Sequence, residues 1–184
     1  AMIATAEGAA APSNKEAIDA LERAISLSEQ AYGNKHPLVA ERQIKLANRL
    51  LAQGRVHEGE PLLTRALGIL EATLGKTHTS LIPVIGMLGE THLRLRKRGS
   101  AAKHLERQIA ILEATADAPD MRLSRALTNL AAVRIEGNRL DDAVPLLQRA
   151  NDIAEKSQPN TISSAQANSR LAEQLVALED FEGA

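Results

Sequence analysis

The chain has 184 residues, 44% of them hydrophobic but only 1% aromatic, and its 22 basic and 23 acidic side chains leave a formal net charge of −1. That balance excludes a global field for nucleic acid or an anionic membrane, and a core drawn from Leu, Ile, Val and Ala suits stacked helices better than sheets. The absence of cysteine excludes disulfides, thiolate metal sites and cysteine nucleophiles, and it leaves the compartment open, with the cytoplasm slightly favoured over a periplasmic or secreted location.

Residues 1–14, AMIATAEGAAAPSN, have no periodic apolar spacing and no basic leader, so they read as a flexible lead-in; Ala1-Met2 resembles a cloning scar. A helix is expected at 15–32, where Ala17, Leu21, Ala24 and Leu27 fall on one face of a 3.6-residue period. Further helices are expected at 37–53, 56–74, 80–97, 100–116, 121–136, 140–156 and 162–178, eight in all, in antiparallel pairs. The connectors GNKHP, GKTHTS, ADAPD and SQPNT carry the Gly, Pro, Asn and Asp that stop one helix and start the next. The longest uncharged stretch, Thr77 to Gly89, falls short of the roughly 20 apolar residues of a membrane span, so no membrane insertion is expected.

The segments repeat. Leu21, Leu63, Leu105 and Leu147 recur every 42 residues, as do Arg23, Arg65, Arg107 and Arg149, and Glu29, Glu71, Glu113 and Glu155. This is the mark of a stacked helical array. Small residues recur too: Ala17, Gly59, Ala101 and Ala143 in one helix, and Ala47, Gly89, Ala131 and Ala172 in its partner. They are expected where the two helices approach most closely. The Arg and Glu columns stand six apart, too far to pair within one helix, so they are expected to bridge neighbouring repeats.

The stretch from Gln53 to Leu67, QGRVHEGEPLLTRAL, with KHPLVA ahead of it and ILEATLG behind, resembles a tetratricopeptide repeat. A generic unit of that family has about 34 residues; the longer unit here is similar to the repeats of the kinesin light chain family. A HEAT or armadillo array, with a period of about 40–47, is the runner-up architecture. The resemblance covers 15–184 and weakens in 78–116: His78-Thr79 replaces His36-Pro37, Arg96 fills the turn-glycine column of Gly54, and Gln108 replaces the Ala of Ala24, Ala66 and Ala150. It implies an all-α, right-handed αα-superhelix, built from the second helix of one repeat, full repeats at about 37–74, 80–116 and 121–156, and the first helix of another.

In such a fold the first helices line a concave groove. The column that holds a family asparagine is filled here by Lys45, Met87, Asn129 and Arg170, and the neighbouring column is Ile44, Gly86, Thr128 and Ser169, so paired asparagines are absent. One turn either way adds Asn48, Glu90, Arg94, Arg125 and Glu173 as groove candidates. Lys45, Arg94, Arg125 and Arg170 make the groove locally basic, and an acidic or carboxylate-bearing peptide is one candidate ligand.

The remaining motifs point away from chemistry. His36, His57, His78, His92 and His104 include no pair at i, i+4 and no HExxH, so no metal is expected, and His36 and His78 share a column just ahead of a helix, where a turn role is expected. The basic run LRLRKRGSAAKHLER spans a helix end, a turn and a helix start, with no aromatic interleaved for base stacking, and reads as a solvated turn. With no nucleophile beside a base and no phosphate loop, neither catalysis nor a cofactor is expected. The resulting expectation is a non-enzymatic scaffold that binds a peptide or partner protein. The alternatives are a regulatory or sensor segment of a larger enzyme or signalling protein, and a self-association module that forms a homo-oligomer through exposed repeat ends.

Overall fold

The computed structural model describes residues 14–115 and 120–157, together with Ser169. Among them are seven α-helices: α1 (Asn14–Tyr32), α2 (Pro37–Ala52), α3 (Val56–Leu74), α4 (Ile82–Arg94), α5 (Arg98–Thr115), α6 (Met121–Glu136) and α7 (Leu140–Ser157). No described residue is in a strand. Each helix packs on its neighbours in chain order, and the strongest pairings are α2 with α3, α4 with α5 and α6 with α7. These are the first and second helices of three repeats, stacked into an all-α superhelix. The helix expected at 162–178 lies outside the described residues.

Helix α4 departs from the expected 80–97. It is preceded by a 3-10 turn at Thr79–Leu81 and stops at Arg94. The stop has a local cause: Arg96 takes a left-handed φ of 57°, as Asn138 does with φ 56° and Gly54 with φ 77°, at equivalent turns one repeat apart. A left-handed residue cannot continue a right-handed helix. The turn geometry is therefore kept although its glycine is not. The expected turn role of the two column histidines is met by the imidazoles themselves, His36 Nδ1 accepting from Leu38 N at 3.2 Å and His78 Nδ1 from Ser80 N at 3.2 Å.

The core lies between the paired helices. Leu63, Leu105, Leu88 and Leu127 are buried in it, and Ala47, Ala101, Ala131 and Ala143 are fully enclosed where the two helices of a repeat meet. A Cβ added at Gly59 would stand 3.0 Å from the Leu51 side chain and 3.5 Å from the Ala47 carbonyl; one added at Gly89 would stand 2.8 Å from Leu105. Contacts that close leave no room for a larger residue.

The divergence of the middle repeat is compensated in place. Gln108, buried where equivalent positions carry Ala, fills space that a Cβ at Gly86 would occupy, since such an atom would sit 2.4 Å from its amide nitrogen. That nitrogen donates to the Ile82 carbonyl at 3.3 Å.

Successive repeats are tied together by the Arg and Glu columns. Arg65 pairs with Glu29 at 2.6 Å, Arg149 pairs with Glu113 at 2.6 Å, and Arg107 pairs with Glu71. These pairs span second helices, whereas the first helices α4 and α6 lie against each other. The ionic struts therefore join α1, α3, α5 and α7 in succession, with the first helices α2, α4 and α6 beside them.

The close approach at Gly59 generates a paired prediction. Gly59→Leu is expected to cost about 1–3 kcal/mol by overpacking. Gly68→Ala in the same helix, where an added Cβ meets nothing within 4 Å, is expected to gain about 0.5–1 kcal/mol from helix propensity. Urea unfolding of both variants checks this; equal shifts of the same sign would contradict the packing.

Candidate functional site

The inner-face candidates fall into two groups. On α2, Lys45 pairs with Glu41 one turn earlier at 2.6 Å, and its ammonium holds the Glu41 carboxyl below the usual carboxylate range. Lys45 and Asn48, with Leu21, Arg49 and Ala52, line a shallow hollow of about 400 Å³. On α4 and α6, Glu90 accepts a hydrogen bond from Asn129 Nδ2 at 3.1 Å and pairs with Arg125 Nε at 3.5 Å. Arg125 stays largely in solvent, its side chain 67% exposed, and Asn129 is half-buried.

Glu90, Arg125 and Asn129 are therefore brought together across two repeats. Met87 is half-buried and packs against the main core. Arg94 turns to the end of α2, where it donates to the Leu51 carbonyl at 3.1 Å, as suits a cation at a helix C-terminus. Arg170 and Glu173 lie outside the described residues. The groove's positive charge is largely answered within the chain, by Glu41, by Glu90 and by the Leu51 carbonyl.

The basic run near 94–107 is committed in the same way. Lys97 Nζ reaches both carboxylate oxygens of Glu60 at 2.7 Å, Arg98 caps the Glu136 carbonyl, and Arg96 lies 3.8 Å from the Glu136 carboxylate. These contacts tie repeat to repeat.

One cluster was not visible as such in the sequence. His92 is buried, bonds Glu60 Oε1 through Nε2 at 2.9 Å, and stacks on His104 with ring centroids 5.2 Å apart. Lys97 and then His92 hold the Glu60 carboxyl below the usual carboxylate range, against the opposing effect of burial. Burial, then the nearby charges of His92, Arg107 and Lys103, lower the affinity of His104 for a proton. A signal existed: His104 stands in a column otherwise filled by Ala20, Leu62 and Leu146, and His92 in one filled by Leu50 and Arg134. Among the described residues no group of three or more His, Asp or Glu side chains is placed to hold a metal ion, and no helix is long and apolar enough to cross a membrane.

Paired helices closed by a small-residue seam and stacked by ionic struts define a helical-repeat array. Residues 39–80 match the tetratricopeptide repeat family. No curated protein matches the sequence. Among solved structures, the nearly identical TPR-like repeats assigned to a Podosopora anserina kinesin light chain superpose with a TM-score of 0.78 at 23% identity, over 92% of this chain and 81% of that one. BtubC (BKLC) from P. vanneervenii gives 0.73 at 20% identity over 80% of this chain, which spans 59% of BtubC. MamA gives 0.58 at 16% identity over 90% of this chain and 79% of that one. The chain thus carries one segment that matches a tetratricopeptide repeat and is similar in fold to the kinesin light chain repeats.

The His104 environment sets a pH dependence. A histidine whose folded pKa is depressed binds fewer protons folded than unfolded. Its contribution is fully present above the unfolded value of about 6.5 and is lost as pH falls through that value toward the folded pKa. Thermal midpoints are expected to fall between pH 7.5 and 5.5, and to fall less in His104→Leu, which restores the column residue. Parallel profiles for the two proteins would contradict the assignment.

Proposed function

We propose that this chain is a non-catalytic scaffold that holds an extended segment of a partner protein along the inner face of α2, α4 and α6. The observation that carries the reading is the Glu90, Arg125 and Asn129 constellation, which places an accessible guanidinium and a carboxamide across two successive repeats. A carboxamide can donate and accept at once, as an extended peptide backbone requires, and the guanidinium adds a charge-assisted contact. Glu90 acts as an internal stand-in for the ligand. An acidic side chain on the partner takes over the Arg125 and Asn129 contacts while Glu90 swings into solvent.

Peptide-array and fluorescence-polarisation binding test this. Arg125→Ala with Asn129→Ala is expected to weaken binding at least tenfold, corresponding to the roughly 1.5–3 kcal/mol of hydrogen bonds to charged groups, without moving the thermal midpoint. Glu90→Gln is expected to tighten binding of an acidic peptide. Equal affinity for a peptide and its charge-reversed counterpart would rule out the acidic preference.

A second reading, self-association, is favoured by one surface. Leu27 on α1 is 63% exposed, whereas its equivalents Ile69 and Ile111 are 7% and 4% exposed. Ile69 owes its burial to Val39 and Ala40 of a first helix, and α1 has no such neighbour among the described residues. Light scattering across a dilution series separates the readings: a dimer that dissociates with Leu27→Glu supports self-association, and a monomer throughout removes it.

A further inference from the structure

Three equivalent grooves run between successive second helices, α1 with α3, α3 with α5 and α5 with α7, each floored by the first helix between them. The floor residue near the C-terminal end of that helix is Leu50, His92 or Arg134 in turn, at 42-residue steps. In the third groove Arg134, only 21% exposed, reaches Glu106 of α5 at 2.6 Å. In the second, His92 reaches Glu60 and stacks on His104. Both grooves are filled by a basic side chain of the protein itself.

The first groove is different. Its counterpart of Arg134 is Leu50, and its counterpart of Glu106 is Glu22, each two repeats, or 84 residues, earlier. A hollow of about 410 Å³ remains, walled by Ile25, Leu46, Leu50 and Leu62 and rimmed by Glu22 and Glu58. Glu58 is already bound twice by Arg55, at 2.6 Å each, and Glu29 at the far rim by Arg65. Glu22 has no ion-pair partner within hydrogen-bonding reach among the described residues; Arg55, committed to Glu58, lies near enough to feel its charge without bonding it.

We propose that the groove between α1 and α3 is a docking site for an arginine side chain presented by a partner protein. Its methylenes lie on Ile25, Leu50 and Leu62, and its guanidinium meets Glu22 where Arg134 meets Glu106 two repeats on. The apolar walls suit the stem of a long basic side chain, and the planar fork suits the carboxylate. The repeat array supplies its own precedent for that occupant. The site involves second helices, so it stands independently of the inner face.

The test is an NMR titration of the ¹⁵N-labelled full chain with Nα-acetyl-arginine amide, set against the neutral isostere Nα-acetyl-citrulline amide. Expected shifts gather at Glu22, Ile25, Leu50 and Glu58, and both citrulline and Glu22→Gln reduce apparent affinity at least fivefold. Leu50→Arg, which copies the third groove, abolishes the response; if that variant fails to fold, Glu22→Gln decides alone. Shifts scattered over surface carboxylates, equal response to citrulline, or an unaffected Glu22→Gln overturn the proposal. So does a dimer in light scattering that Glu22→Gln dissociates, because the occupant is then a second copy. Loss of this response leaves binding through Arg125 and Asn129 unaffected, so the two proposals fail separately.

Discussion

The two helices of each repeat approach so closely that only Gly or Ala fits at their seam, and the rest of the architecture depends on that constraint. Ala47 with Gly59, Gly89 with Ala101 and Ala131 with Ala143 carry it through three repeats, all six buried where a larger side chain would force the pair apart or displace a leucine. Once the pair is closed, the leucine columns interlock and bury a continuous core from α2 to α7. No single repeat encloses such a core by itself, which is why the array is the unit of stability.

Stacking is governed by a different kind of contact. Exposed or half-exposed ion pairs contribute about 0–1 kcal/mol each, so the Arg65, Arg107 and Arg149 struts do little for stability beside the apolar core. Their consequence is geometric. They hold second helices at the reach of two long side chains, while α4 and α6 lie against each other. The line of struts runs along the second helices, so the side chains of the first helices are free to vary.

The fold was legible because it rests on periodicity. Leucine, small-residue and Arg and Glu columns at one spacing specify helices, pairing and inter-repeat bridges without knowledge of any single contact. Helices α3 and α6 fall at the expected 56–74 and 121–136. The end of α4 was misjudged because Arg96, a residue that ordinarily continues a helix, is held left-handed by the turn its repeat requires. The site was less legible. Sequence placed Glu90, Arg125 and Asn129 on one face, but not that Glu90 would engage the other two, nor that Arg94 would be drawn off to the Leu51 carbonyl. Those outcomes depend on side-chain reach between repeats, which columns do not encode.

Departures from the columns then become the informative positions. Where a column is uniform, as with Leu63, Leu105 and Leu147, packing dictates the residue and function has no say. Where it changes, either a neighbour changes with it or a gap is left. Gln108 with Gly86 is the first outcome, one side chain growing into the room another gives up, and its consequence stays inside the core. His92 with Glu60, and Arg134 with Glu106, are also satisfied internally. Leu50 beneath Glu22 is the second outcome: the carboxylate persists while the cation that answers it elsewhere does not. On the docking proposed for that groove, a difference left without its counterpart ion pair is where one repeat takes on a task the others lack.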